Sequence, residues 1–117
     1  YYVKAIQELC EDYGAQFMLL STPSPVNWNY ARHAGIEAFA QELGCDYLDL
    51  NLEDVKIDWT QDTFDKGDHL NHFGAVKVTK FLSNYLQGKD GLTDHRSDPA
   101  YGDWNEKLKA YENLISQ

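Results

Sequence analysis

The sequence predicts an α/β fold. Two observations carry this expectation: helical and strand-like segments alternate through the first half of the chain, and a helix joins two short apolar runs as a crossover joins parallel strands. A third agrees with them, since the long Asp-rich stretch after the second run has no sustained period and falls where open parallel sheets carry ligand-binding loops.

Val3, Ile6, Leu9, Cys10 and Tyr13 recur at helical spacing, and Gly14 follows as the flexible residue common after a helix end. Residues 16–22 read Gln-Phe-Met-Leu-Leu-Ser-Thr, a continuous apolar run stopped by Pro23 and Pro25. That pattern predicts a strand buried on both faces. Asn27 or Asn29 can cap the next helix, whose stripe is Ile36, Phe39, Ala40 and Leu43 and whose end is marked by Gly44. Residues 46–51, Asp-Tyr-Leu-Asp-Leu-Asn, form a second brief strand, parallel to the first because the connection is a helical crossover.

The stretch from Leu52 to His72 is expected to be a long loop. Ala75, Val78, Leu82 and Tyr85 then give a third helical stripe, starting at Asn71 or His72 and ending before Gly88. Residues 89–102 read as a linker, and Trp104, Leu108, Tyr111 and Ile115 line one face of a last helix. The expected organisation is one domain over residues 1–88, with residues 89–117 as a linker and a helix packing back on it.

Composition narrows the function classes. The 117 residues carry 10 Lys and Arg against 19 Asp and Glu, a formal net charge of −9. No basic run is long enough to track phosphates, which argues against nucleic acid as a partner. An aromatic share of 14% argues for a folded chain. No run approaches the roughly 18 apolar residues of a membrane span. The chain opens in helical pattern without an initiator Met, which suggests a piece of something longer. Cys10 and Cys45 have neither metal-ligand spacing nor the density of a disulfide scaffold, so both are expected as buried free thiols.

The residues that carry chemistry run Asp62-Thr63-Phe64-Asp65-Lys66-Gly67-Asp68-His69-Leu70-Asn71-His72-Phe73-Gly74-Ala75. A carboxylate that accepts a hydrogen bond from one ring nitrogen of His69 fixes its tautomer. The other nitrogen is then free to take a proton from a hydroxyl nucleophile. These are the requirements of acyl transfer, and they make His69, Asp65 and Asp68 the candidate catalytic residues.

This segment resembles the last block of the SGNH or GDSL hydrolases, in which an Asp shortly precedes a His and Asn and Gly follow. The matching residues are Asp65 or Asp68, then His69-Leu70-Asn71 and Gly74. The family's Asp usually lies three positions before the His, where this chain has Lys66, so both aspartates stand as partners. Asp68-His69-Leu70-Asn71 with Gly74-Ala75, Lys77 and Thr79 is similar to a bacterial, envelope-associated subgroup. The tail Leu92-Thr93-Asp94-His95-Arg96, Asp98-Pro99-Ala100-Tyr101 and Trp104 resembles extensions on such proteins.

The resemblance implies the C-terminal portion of a flavodoxin-like, three-layer α/β/α SGNH fold. It further implies a serine-dependent esterase or O-acyltransferase acting on acylated carbohydrate, polysaccharide or other small esters, without a cofactor or metal. An extracytoplasmic setting goes with it, membrane-anchored or secreted, with an anchor or a membrane-bound acyl-donor protein reached through an upstream region. The family's Gly-Asp-Ser nucleophile segment and its oxyanion-binding Gly and Asn have no match here. These residues alone are therefore expected to be inactive, and the unpaired strand edges of a partial sheet are expected to favour a homodimer.

Plainer readings compete. His69 could be a surface or helix-capping histidine, and His69 with His72 and an Asp could hold zinc, although a loop and a helix start seldom present two rings to one ion. Ser21 and Ser24 are expected to be structural or substrate-lining. His33 and His95 read as exposed or satisfied side chains. Trp28 and Trp59 fall in the loops after the two strands, where they either pack or line an acyl or sugar pocket. A non-catalytic α/β binding or scaffold module is the alternative to the enzyme.

Overall fold

A computed structural model describes residues 1–89 and 91–116. Asp90, in the expected linker, and Gln117, at the end of the last expected segment, lie outside the described residues. The fold is mixed α/β, and the chain divides into two compact units, Tyr1–Ser83 and Asn84–Gln117.

In the first unit, helix α1 (Tyr2–Asp12) leads into strand β1 (Met18–Ser21), helix α2 (Tyr30–Leu43) and strand β2 (Asp46–Asp49). The strands pair in parallel, with Met18 opposite Asp46 and Ser21 opposite Asp49. The helical crossover between them produces that orientation. Both strands are shorter than the apolar runs suggested. Pro23 ends the first, and beyond Asp49 the chain turns: Leu50 N–H still bonds the Ser21 carbonyl at 2.9 Å, but Leu52 N–H folds back to the Asp49 carbonyl at 3.1 Å.

The crossover helix has well-defined ends. Asn29 is its cap, its side chain accepting from Arg32 N–H at 2.9 Å, which settles the choice between Asn27 and Asn29. At the other end Gly44 adopts the left-handed conformation, φ 67°. Ala40 is buried, Phe39 and Leu43 are half-buried, and Ile36 is more exposed.

Pro23, Ala40, Leu48, Leu50, Val55 and Val78 are the buried apolar side chains among the described residues. Full burial of an aliphatic side chain contributes roughly 1.5–3 kcal/mol, so this small set dominates the unit's packing. The first strand departs from expectation here. Rather than being buried on both faces, β1 is half-buried, with Leu20 41% exposed. Its only strand neighbour among the described residues is β2, so one of its edges carries no ladder. The stripe of α1 is also open: Ile6 and Leu9 are exposed, and Gln7 ties this helix to α2 by donating to the Leu43 carbonyl at 2.9 Å. Cys10 and Cys45 are free thiols, half-buried rather than buried.

Helix α3 (His72–Gln87) follows the long loop. Its inward face runs through Gly74 and Val78, and Ala75, expected on that stripe, is exposed. The cause is steric. Gly74 lies against the Asp62 carbonyl, where no side chain fits, so the face turned inward needs a glycine there.

Within the second unit a short 3-10 turn (Pro99–Tyr101), capped by the Asp98 side chain on Ala100 N–H at 2.9 Å, precedes helix α4 (Asp103–Ile115). His95 stacks on Tyr101 with ring centroids 4.2 Å apart. Trp104, Leu108, Tyr111 and Ile115 lie along this helix, each exposed.

Candidate functional site

The loop from Leu52 to Asn71 is more ordered than its lack of period suggested. Asp58 and Asp62 brace its middle: Asp62 N–H donates to the Asp58 carbonyl at 2.8 Å, and Asp58 N–H to the Asp62 carboxylate at 2.7 Å. Lys77 of α3 reaches that buried carboxylate at 2.5 Å. The Lys77 bond, then that from Asp58, holds the Asp62 carboxyl below the usual range.

Beyond Asp62 the chain forms a small hairpin. Thr63 and Leu70 make an antiparallel bridge, Phe64 N–H bonds the His69 carbonyl at 2.9 Å, and Asn71 N–H bonds the Asp62 carbonyl at 2.9 Å. Asn71 secures its base. Its side-chain oxygen accepts from Phe73 and Gly74 N–H at 2.9 and 3.2 Å, capping α3, while Nδ2 donates to the Gln61 carbonyl at 2.7 Å.

At the hairpin tip Asp65 Oδ1 accepts from Gly67 N–H at 2.9 Å, an Asx turn, and Lys66 takes the left-handed conformation, φ 57°. The turn aims the other carboxylate oxygen at the ring: Asp65 Oδ2 lies 2.5 Å from His69 Nδ1. Nδ1 carries the proton in this pair, leaving Nε2 directed away from the carboxylate. The hydrogen bond and charge of Asp65 raise the His69 pKa, and the same bond lowers that of Asp65. Both side chains are open to solvent, His69 at 78% and Asp65 at 46%.

Asp68 has different partners. Its two oxygens accept from Ser24 Oγ and Asn27 Nδ2, and Ser24 Oγ also accepts from Asn27 N–H at 2.8 Å. The hairpin is thereby clamped to the loop that follows β1. Ser24 N–H continues the connection to Asn51 Oδ1 at 2.7 Å. Of the two aspartates left open by spacing, Asp65 pairs with the ring and Asp68 holds the loop.

His69, Asp65 and Asp68 line an open cleft of about 640 Å³ with Thr22, Pro23, Phe64 and Leu70. It lies beside the C-terminal end of β1, the edge at which parallel sheets bind ligands. A second cleft, of about 270 Å³, adjoins it at Pro23 and is lined by Ser24, Trp28, Asn51, Glu53, Lys56 and Trp59 among others. The sequence placed both indoles near the site as residues that either pack or line a pocket, and the structure gives Trp28 and Trp59 a place in this lining.

One polar cluster was not anticipated. Asp49, at the end of β2 and only 6% exposed, accepts on one oxygen from Trp28 Nε1 at 2.8 Å, His33 Nδ1 at 2.8 Å and Tyr47 OH at 2.9 Å. Its other oxygen accepts from Asn51 N–H and Nδ2 at 3.0 and 2.8 Å. Burial alone would raise the Asp49 carboxyl, but the bonds from Asn51, Trp28 and His33 outweigh it and hold the group well below the usual carboxylate range. Ser21 joins through Tyr47 OH at 2.9 Å. Ser21 and His33 are thus tied into a scaffold that connects both strands, α2 and the loop after β1. A carboxylate at the end of an apolar strand was the one available signal.

Among the described residues no three His, Cys, Asp or Glu side chains converge as a metal-ligand set. His72, the second histidine of the segment, lies edge-on to Phe73. No family model, curated protein or solved structure matches the chain.

Proposed function

We propose that this chain is part of a serine-dependent acyl-ester hydrolase or O-acyltransferase of SGNH type, to which it supplies a general base, His69, and its orienting carboxylate, Asp65. The observation that carries the proposal is the 2.5 Å contact between Asp65 Oδ2 and His69 Nδ1 in an open cleft beside the end of a parallel strand. A carboxylate on Nδ1 fixes the tautomer in which Nε2 accepts a proton. The nucleophile would come from outside these residues, because no Gly-Asp-Ser segment occurs among them and the loop serine Ser24 is engaged with Asp68.

The chemistry is acyl transfer in two halves. His69 Nε2 takes the proton of the serine hydroxyl as its oxygen bonds the acyl carbon, and then gives that proton to the departing alcohol as the ester C–O bond breaks. Water or a sugar hydroxyl, deprotonated in turn by Nε2, releases the acyl group. Water gives an esterase and a sugar hydroxyl gives a transferase. The mixed α/β architecture is compatible with an SGNH fold, and the motif His69-Leu70-Asn71 with Gly74 resembles that family's last block.

The test is turnover of a small acetyl ester by the native polypeptide that contains this chain. His69→Ala should reduce the rate roughly 10²–10⁴-fold. Equal turnover in wild type and variant would reject the proposal and favour a non-catalytic binding module.

A further inference from the structure

The two adjoining clefts differ in their walls. Around His69, Asp65 and Asp68 the rest of the wall is mostly apolar, from Pro23, Phe64 and Leu70. The neighbouring cleft mixes the indoles of Trp28 and Trp59 and three aliphatic side chains with the polar groups of Ser24, Asn51, Glu53 and Lys56. Pro23 belongs to both, and the bonded pair Ser24 and Asp68 joins the lining of one to the lining of the other. A ligand bridging the two would present an apolar part to the first and a polar part to the second.

The second cleft's chemistry narrows its occupant. An aliphatic chain there would strip water from Glu53 and Lys56 without replacing their hydrogen bonds. A phosphate or polyanion would meet Glu53 and a net charge of −9. A sugar satisfies both kinds of wall, with C–H faces for the indoles and rim hydroxyls for the polar groups. At about 270 Å³ the cleft is just below the roughly 300–1,000 Å³ of drug-sized sites, which suits a single ring.

The cleft is also held in shape. Trp28 is fixed through Nε1 by Asp49 and packs edge-on against Tyr30 with ring centroids 4.8 Å apart. Lys56 has a left-handed backbone, φ 62°, sparsely populated for lysine. Its carbonyl is pinned by Lys77 Nζ at 3.0 Å, and the same Lys77 anchors Asp62 at the base of the His69 hairpin.

We infer that the second cleft is a saccharide subsite, binding one sugar ring against the indole lining of Trp28 and Trp59 beside the His69 cleft. The inference rests on the acyl-ester proposal and deepens it: the ester's alcohol, or the acyl acceptor, is a sugar, and the acyl group occupies the apolar cleft.

Trp28, Trp59 and Trp104 give three indole N–H signals in a nitrogen-15 NMR spectrum, and Trp104 is an internal control in the second unit. The chain is titrated with methyl glycosides of glucose, galactose, mannose and N-acetylglucosamine, and with cyclohexanol as an apolar ring of similar size. At least one glycoside should shift the Trp28 and Trp59 signals saturably, with a Kd on the order of 1 mM or weaker, while Trp104 stays fixed and cyclohexanol gives no saturable shift. Trp59→Ala should abolish the saturable shift of Trp28, and the milder Glu53→Gln should weaken it severalfold with the spectrum otherwise preserved. His69→Ala should leave binding unchanged. No saturable shift with any glycoside, or equal shifts at Trp104, would overturn the inference while leaving ester turnover free to support the acyl-ester role. Saccharide binding without any dependence of turnover on His69 would instead remove the catalytic basis and overturn the substrate assignment with it.

Discussion

Asp65 Oδ2 and His69 Nδ1, four positions apart in the chain, lie 2.5 Å from each other, with Asp65's other oxygen fixed by Gly67 N–H. The bond stabilises the protonated ring, so His69 should titrate above the ordinary value of about 6.5. A general base works only when neutral. Turnover should therefore rise with pH through that raised pKa, and Asp65→Asn should move the half-rise to lower pH while reducing the plateau. Titration of the ring by NMR in both proteins, alongside the pH–rate profile, checks the direction; an unmoved midpoint contradicts it.

Asp68 is expected to behave differently. Its bonds to Ser24 and Asn27 fasten the hairpin to the loop after β1, and it is not the carboxylate on the ring. Asp68→Ala should leave His69 paired with Asp65 but speed amide hydrogen exchange in residues 64–69. Unchanged exchange would show that the clamp does not order the hairpin.

Gly74 is required by a close approach. A Cβ added there would overlap the Asp62 carbonyl and crowd Leu70 Cδ2 at 3.0 Å, and backbone cannot yield as a flexible side chain does. Gly74→Ala should destabilise the chain by about 1–3 kcal/mol. Gly35, within α2 and with open space around it, is the control: Gly35→Ala should stabilise by about 0.4–1 kcal/mol. Thermal melting of the two variants should move the midpoint in opposite directions.

The Asp49 cluster makes stability sensitive to acid. The folded-state pKa of Asp49 is depressed, so its contribution is present above the unfolded value, about 3.9, and is lost as pH falls toward the folded one. Asp49→Ala should cost about 1–3 kcal/mol at neutral pH, leaving Trp28 N–H and the Asn51 amide without their acceptor. Its deficit relative to wild type should shrink below pH about 4. Denaturant unfolding at neutral and acid pH measures this; a deficit independent of pH would contradict it.

The legible parts of the molecule were those whose causes are local. An apolar run stopped by Pro23, a cap at Asn29 and left-handed Gly44 each act within a few residues, so strands, crossover and parallel pairing follow from sequence. The choice between Asp65 and Asp68 was not local. It depends on Lys66 turning left-handed and on Ser24 and Asn27, 44 and 41 positions away in the chain, taking up Asp68. The same holds for Asp49, whose partners Trp28 and His33 lie across the crossover. On α3 the expectation failed at Ala75, which fits an apolar stripe as well as its neighbour, because the close approach of Gly74 to the Asp62 carbonyl leaves no local trace in the pattern.

The central claim, that Asp65 and His69 act as one catalytic unit, is tested most directly by a double-mutant comparison of ester turnover in the native polypeptide. Asp65→Asn, His69→Ala and the pair should each be slowed by a similar, large factor, within roughly 10²–10⁴, while Asp68→Asn should lose less than about tenfold. Independent, multiplying losses from Asp65→Asn and His69→Ala, or a larger loss from Asp68→Asn than from Asp65→Asn, would contradict it.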